Sequence, residues 1–303
     1  MSLNIIILAA GKGRRMHSSL PKVMHKVGGS TMLEHVLIAS KKLKPKTINV
    51  VINSKTDDIK KSFEQYDVNW YIQLKQNGTA DAVKTVLPHL ANNEKVLVLY
   101  ADTPLIDHKL LEKFIKYMPK SDVKVLTVNL ENPFGYGRIV REQAEEEIVA
   151  KIIEELEADH IQKNIKECNT GIIFSDSTTL KNLISKVDNK NSKKEYYLTD
   201  IVSIANKNNL LVVPLLAKES NSLLGVNDKI QLEKTEKIFQ NNKRNHFLSQ
   251  GVTMLDSQTV YFKGNVSIGE DVEIEQNVVF EGTVKIEDNV KIRANTNIKN
   301  TKI

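Results

Sequence analysis

The stretch Ile5-Ile6-Ile7-Leu8-Ala9-Ala10-Gly11-Lys12-Gly13-Arg14-Arg15-Met16, followed by Leu20-Pro21-Lys22, decides the fold of this chain. A short apolar run ends in Ala-Ala-Gly and breaks into a Gly-rich, cationic loop. The run has the length of a buried parallel strand and is too short to span a membrane. The loop has the composition of a phosphate cradle. Gly11 and Gly13 can take φ > 0 and let a ligand approach the backbone. Successive N–H groups can converge on anionic oxygens, and Lys12, Arg14, Arg15 and Lys22 bring positive charge. No GxxxxGK[ST] is present and the third glycine of GxGxxG is missing, so this is neither a Walker loop nor a dinucleotide fingerprint. Taken alone, a GxG of this kind serves equally well as a basic strand-to-loop turn.

The 303 residues suit one large domain and a smaller one. With 41% hydrophobic and 26% charged residues a sizeable core is available and wholesale disorder is excluded. The formal net charge is +6, but the basic residues are scattered, mostly Lys, with acidic residues between them. That pattern describes a solvated Lys-rich surface and a polyanion site, with no nucleic-acid face. The single cysteine, Cys168, excludes an intrachain disulfide and a four-Cys zinc site and reads as a small buried residue. No leader pattern precedes the first strand and no apolar run approaches ~20 residues. The expectation is a cytoplasmic protein without membrane contact.

Hydrophobic spacing predicts a helix over 31–43, a strand over 48–52, a short helix over 59–66, strands over 69–73 and 96–100, and a helix ending at Leu90 between them. Strands alternating with helices predict an α/β fold with an open, largely parallel sheet. Ligands in such sheets lie at the carboxyl ends of the strands. The basic loop, Gln73 and Asp102 all fall at such ends. Gln73, Gly78 and Thr79 carry groups suited to reading a base edge, and equally to a turn with a helix cap. Asp102, in Ala101-Asp102-Thr103-Pro104-Leu105, suits a hard cation such as Mg²⁺, or a cap on the next helix. Pro133 to Ile139 is a Gly-rich turn entering a strand. Glu145-Glu146-Glu147 is a solvated charge run. Residues 231–248 alternate apolar and charged at helical spacing, with Ile230, Leu232, Ile238, Phe239, Phe247 and Leu248 as the apolar set.

From Val266 a strict period of six begins: Val266-x-Ile268, Val272-x-Ile274, Val278-x-Phe280, Val284-x-Ile286, Val290-x-Ile292 and Thr296-x-Ile298. Such hexads signal a parallel β-helix with about three hexads per coil, and so about two coils here. Ile292 and Ile298 would then form an open apolar end that favours self-association.

LAAGKGRRM followed by LPK resembles the signature loop of sugar-nucleotide pyrophosphorylases, with Arg14 where that family usually has Thr or Ser. The later blocks Tyr136-Gly137-Arg138, Asn169-Thr170-Gly171, Glu195-Tyr196-Tyr197-Leu198-Thr199-Asp200 and Gly225-Val226-Asn227-Asp228 occur in the order found in one branch. Together they resemble the uridyltransferase half of bifunctional N-acetylglucosamine-1-phosphate uridyltransferase / glucosamine-1-phosphate acetyltransferases. Two further departures are Ala101, where the family has Gly, and Leu156, where V-E-x-K-D-A has Lys.

The resemblance implies a Rossmann-like nucleotidyltransferase domain over 1–228, a linker helix over 229–250 and the first coils of a left-handed parallel β-helix, truncated, over 251–303. It implies transfer of a uridylyl group from UTP to N-acetylglucosamine 1-phosphate for cell-envelope precursors (peptidoglycan and lipopolysaccharide); the alternatives are a sugar-phosphate nucleotidyltransferase for another sugar or base, and a non-catalytic sugar-nucleotide-binding or assembly protein. Arg15 and Lys22 would be catalytic, and Asp102 and Asn227 would hold Mg²⁺. Leu8, Ala9, Ala10 and Gly11, with Gln73, Gln76, Gly78, Thr79, Tyr100 and Ala101, would hold the nucleotide. Gly137, Glu154, Asn169, Tyr197 and Thr199 would hold the sugar. It also implies a homotrimer through the β-helix, weak in this short form, and no acetyltransferase activity, because that site lies in later coils.

Overall fold

The computed structural model describes residues 2–54, 57–118, 120–141, 149–218 and 220–303. The Glu145–Glu147 run lies outside the described residues. In chain order the strands are β1 (Leu3–Leu8), β2 (Lys26–Val27), β3 (Ser30–Thr31), β4 (Thr47–Asn53), β5 (Asn69–Gln73), β6 (Lys95–Tyr100), β7 (Val123–Asn129), β8 (Arg138–Arg141), β9 (Val149–Ile153), β10 (Glu167–Asp176) and β11 (Val212–Ala217). They continue as β12 (Thr253–Met254), β13 (Tyr261–Ile268), β14 (Glu273–Ile274), β15 (Val279–Ile286), β16 (Lys291–Ile292) and β17 (Asn297–Lys299). The helices are α1 (Met32–Lys42), α2 (Thr79–Val86), α3 (His108–Lys116), α4 (Ser177–Ile184), α5 (Asp200–Lys207) and α6 (Lys229–Ser249). Two compact units result. The first comprises Met1–Lys12, Pro21–Val23 and Leu33–Gly225; the second comprises Gly13–Leu20, Met24–Met32 and Val226–Ile303.

The first unit is built on a sheet of order β11-β7-β10-β6-β1-β4-β5, extended by β8 and β9. β1 pairs parallel with β6 and β4, β4 with β5, and β7 with β11. β10 runs antiparallel between β6 and β7. Ile5, Ile6 and Ile7 are fully buried because the strand is covered on both faces, and this is why it reads as a continuous apolar run. The register pairs Leu8 with both Tyr100 and Val51, and Asn53 with Gln73. The carboxyl ends of β1, β6 and β5 therefore share one edge.

One local expectation differs from what forms. The helix expected over 59–66 is a 3-10 helix over Asp57–Phe63, with Phe63 packed against Tyr66 and Trp70. Asn169-Thr170-Gly171 forms a bulge inside β10, where the pairing register shifts between Asn169 and Ile173.

The second unit holds the parallel β-helix, with stacked faces β12-β14-β16 and β13-β15-β17. Equivalent residues lie eighteen apart, three hexads per coil: Phe262 over Phe280 over Ile298, and Ile274 over Ile292. The first coil starts before Val266, because Val252, Val260 and Phe262 are already inside it. Two corners place Asp271, Asn277, Asn289 and Asn295 in the left-handed region, which these short polar residues tolerate best after glycine. Ile292 and Ile298 are each only 4% exposed, so they do not form the expected open apolar end. Backbone bonds tie the last residues to β15 and Glu287: Lys285 N–H to Thr301 O at 3.0 Å and Glu287 N–H to Ile303 O at 2.8 Å.

Helix α6 forms where a linker helix is expected, and its buried face is more than the apolar set. Ile230 is 81% exposed and Leu248 40%, whereas Thr235, Gln240, Arg244 and Phe247 are buried. The reason is that α6 faces main chain as well as side chains. The N–H and C=O groups of a strand edge need partners. Gln240 donates to Phe262 O and accepts from Phe262 N–H, both at 2.8 Å. Arg244 donates to Val260 O and Gln258 O. The β2–β3 hairpin joins the same unit: a Cβ on Gly29 would sit 2.6 Å from the Lys263 backbone, and Gly28 N–H donates to Glu236 at 2.7 Å. Residues 13–20 and 24–32 therefore pack with the second unit.

Candidate active site

A cleft in the first unit opens where β1, β5 and β6 end. Leu8, Ala9, Ala10, Gly11 and Lys12 line it from β1, together with Lys22, Gln73, Gln76, Gly78, Thr79, Tyr100 and Asp102. Gly13 takes φ +58°, but Gly11 is not in the positive-φ region; instead a side chain there would project into open space. What Gly11 supplies is room.

The 73–79 loop is fixed from the opposite side. Gly78 has φ +121°, and a Cβ on it would lie 2.4 Å from Tyr196 O, so only glycine fits. Tyr196 N–H donates to Asn77 O at 2.6 Å, Ala80 N–H to Tyr196 O at 3.0 Å, and Leu198 N–H to the Thr79 hydroxyl at 2.9 Å. Two sequence blocks over a hundred residues apart thus form one wall. Gln73 donates Nε2 to Gly78 O at 3.0 Å and to Asp81 Oδ2 at 2.8 Å; Gln76 donates Nε2 to Ala10 O at 2.8 Å.

On the other side the Asp102 carboxylate accepts from Lys22 Nζ. Asp102 does not cap α3, whose N-cap is Asp107. Tyr100 links this pair to the next cluster. Burial pushes its phenol up, Glu154 and Asp102 add to the shift, and the Thr79 hydroxyl hydrogen-bonds it. Gly171 comes so close beneath its ring that a Cβ would lie 2.5 Å from it.

In that cluster the Thr199 hydroxyl donates to Glu154 at 2.8 Å, and burial raises the Glu154 carboxyl above the usual range. Asn169 N–H donates to Gly137 O at 2.8 Å, and Asn169 Oδ1 accepts from Gly171 N–H at 2.9 Å, which commits the amide oxygen to the bulge. Tyr197 is buried and burial pushes its phenol to about 12. None of Gly137, Glu154, Asn169, Tyr197 and Thr199, and not Ala101 either, is among the residues that line the cleft. Ala101 is wholly buried at the end of β6, so its methyl group does not face a nucleotide in the cleft, contrary to its assignment from sequence. Arg138 is structural, donating to Tyr136 O and, at 2.8 Å, to Glu155. Leu156 stands exposed.

Arg15 lies in the 3-10 turn Arg14–Met16 of the second unit. Asn227 precedes α6 there, its N–H donating to Gln231 at 2.6 Å while Asp228 caps the helix. Lys12, read from sequence as a cation of the loop, is in the lining; sequence reasoning missed Val23, Ala82 and Glu195 there. It also missed Asn53, which donates to Ala10 O at 3.3 Å, and Asp81. Only the pairing of β4 with β5 and the turn of α2 bring those two into place. Cys168 is buried as expected, and burial pushes its thiol to about 11.

A divalent ion fits the donors only in part. Among the described residues no three His, Cys, Asp or Glu side chains cluster to hold a metal. Asp102 is a hard oxygen donor beside the cleft, which suits an ion completed by substrate phosphates and water. No helix among the described residues is long and apolar enough to cross a membrane.

Residues 5–166 match the MobA-like NTP transferase domain family, and residues 265–300 match six bacterial transferase hexapeptide repeats. The chain is 40% identical over 273 residues to the bifunctional protein GlmU of Buchnera aphidicola subsp. Schizaphis graminum, covering 90% of this chain and 59% of that one. It is 40% identical over 275 residues to GlmU of Idiomarina loihiensis, covering 91% and 60%. The chain therefore spans about 60% of the length of the curated relatives it matches. Among solved structures it is similar in fold, with a TM-score of 0.61 and 19% identity, to a Bacillus anthracis protein described as a glucose-1-phosphate thymidylyltransferase. That likeness covers 78% of this chain and 95% of the other. With the family match spanning more than half of its length, and the sheet and Gly-rich loop placed as described, this chain belongs to the MobA-like NTP transferase domain family.

Proposed function

We propose that this chain transfers the uridylyl group of UTP to N-acetyl-α-glucosamine 1-phosphate, giving UDP-N-acetylglucosamine and pyrophosphate. The observation that carries the proposal is the wall in which Gly78 and Thr79 lock onto Tyr196–Leu198, facing the β1 loop and the Lys22–Asp102 pair. The 40% identity to GlmU proteins supports it. In this reading β1 through Gly11, with Gln73, Gln76, Gly78 and Thr79, holds the uridine. Gly137, Glu154, Asn169 and Thr199 hold the acetamido sugar.

The sugar phosphate is ionised at neutral pH and needs no general base. Its oxygen attacks the α-phosphorus in line; the bond from that phosphorus to the β-phosphate bridging oxygen breaks, and pyrophosphate leaves. The protein supplies positioning and charge neutralisation. Arg15 and Lys22 bring cations to the phosphates. Nucleotidyltransferases of this kind generally use a divalent metal; here Asp102 and Asn227 would hold Mg²⁺, which would neutralise phosphate charge. Residues 1–228 form the catalytic portion in this proposal, joined through 229–250 to the repeats of 251–303, by which copies associate weakly as trimers.

The test is pyrophosphate release with UTP, Mg²⁺ and a panel of sugar 1-phosphates. N-acetylglucosamine 1-phosphate should be preferred and excess chelator should stop turnover. Release with no sugar phosphate on the panel, or preference for another, rejects the proposal.

A further inference from the structure

The Gln73 amide has a fixed orientation, and Asp81 helps to fix it. Gln73 is 4% exposed, and its Nε2 faces two oxygen acceptors, Gly78 O at 3.0 Å and Asp81 Oδ2 at 2.8 Å. The flipped amide would set Oε1 against both oxygens, one of them on a carboxylate, and would leave both donors unused. Oε1 is thus the atom that Gln73 can offer to the cleft it lines. Gln76 is oriented in the same sense, with Nε2 committed to Ala10 O at 2.8 Å. Asp81 lies in the first turn of α2, where the helix dipole favours a carboxylate, so the orienting charge is itself held in place.

We infer that Asp81 is a specificity-positioning residue: by holding the Gln73 amide nitrogen, it presents a carbonyl oxygen to the base and so selects a pyrimidine whose ring N3 carries a hydrogen. Uracil offers that N–H. Cytosine offers a lone pair at N3, which would face the Gln73 oxygen unpaired. A buried mismatch of this kind is costly because neither group retains water. Asp81 touches neither substrate; it acts through Gln73. The inference rests on the uridylyl reading above.

The experiment compares kcat and KM for UTP and CTP in the full chain, in Asp81→Leu and in Asp81→Asn. Loss of the carboxylate in Asp81→Leu lets Gln73 turn, so the UTP-over-CTP ratio of kcat/KM should fall by about tenfold, the equivalent of one charge-assisted hydrogen bond. The loss should appear in KM for UTP rather than in kcat. Asp81→Asn still offers Oδ1 to Gln73 Nε2 and should retain most of the ratio. Should Asp81→Leu fold poorly, Gln73→Leu supplies the second test: its UTP-over-CTP ratio should also fall by at least as much. An unchanged ratio in a folded Asp81→Leu, an unchanged ratio in Gln73→Leu, or an equal loss for both nucleotides would overturn the role of Asp81. A wild-type chain that turns over UTP and CTP equally would instead reject the uracil reading itself.

Discussion

At the scale of single residues, the site divides into groups already committed to the fold and groups left for a ligand. Asn169 shows both. Its Oδ1 holds the Gly171 N–H of the bulge, while in the proposed reaction its Nδ2 would donate to the acetamido carbonyl. Asn169→Ala removes both roles. Loss of the bulge contact should slow reaction with any sugar phosphate; loss of Nδ2 should hurt only the acetamido sugar. The kcat/KM ratio of N-acetylglucosamine 1-phosphate to glucose 1-phosphate isolates the second effect and should fall by about fivefold, one neutral hydrogen bond. An unchanged ratio would make Asn169 purely architectural. Asp200 gives a pH signature. Burial, with Glu154, Asp188 and Glu157 nearby, raises its carboxyl from an ordinary 3.8 to about 6. A carboxyl whose pKa is raised by folding favours the folded state while protonated, below pH 3.8, and that contribution is lost as pH climbs through 6. Asp200→Asn should therefore melt higher than wild type at pH 7.5, by roughly 2–4 °C after allowance for solvent screening, with the advantage gone at pH 3.8. Thermal melts at the two pH values decide it.

At the scale of elements, legibility follows the kind of partner each element has. β1 could be read from sequence because burial on both faces writes an unbroken apolar run. The hexads could be read because every coil repeats the same inward positions. Helix α6 was legible as a helix but its buried face was not, because half of that face, Gln240 and Arg244, serves backbone atoms of β13 and the turn before it, and sequence periodicity counts only apolar side chains. The Lys22–Asp102 pair and the wall of Gly78 against Tyr196 join residues far apart in the chain, so no local pattern announces them. The motifs named the participants; only pairing of the strands shows which of them meet. Gln240 offers a sharp check. Gln240→Leu keeps a similar volume but leaves the Phe262 N–H and C=O buried without side-chain partners, which should cost about 2–4 kcal/mol. Gln240→Glu retains an acceptor for the N–H and should cost less. Chemical denaturation of both variants, followed by a probe in the β-helix, would show equal losses if the contact were mere packing.

At the scale of the whole molecule, the two units carry different burdens. Every residue lining the cleft belongs to the first unit, whereas the second stacks Phe262, Phe280 and Ile298 into its own core and dresses its outer faces with ion pairs eighteen residues apart, such as Glu273–Lys291 and Glu281–Lys299. A chain ending at Gln250 separates the burdens. It loses Val252 and Phe262, which cover Phe247, so one aromatic ring enters water and the melting temperature should drop. Gln240 and Arg244 enter water too, where their polar groups are satisfied, so the loss at these positions is smaller than in the intact Gln240→Leu variant, whose partner groups stay buried. The cleft keeps all its lining, and UTP should bind with unchanged affinity by titration calorimetry. A soluble, folded chain of this length that no longer binds UTP would show that the nucleotide depends on residues after Gln250. Retained binding with a lowered melt would place recognition in the sheet and assign the coils to stability.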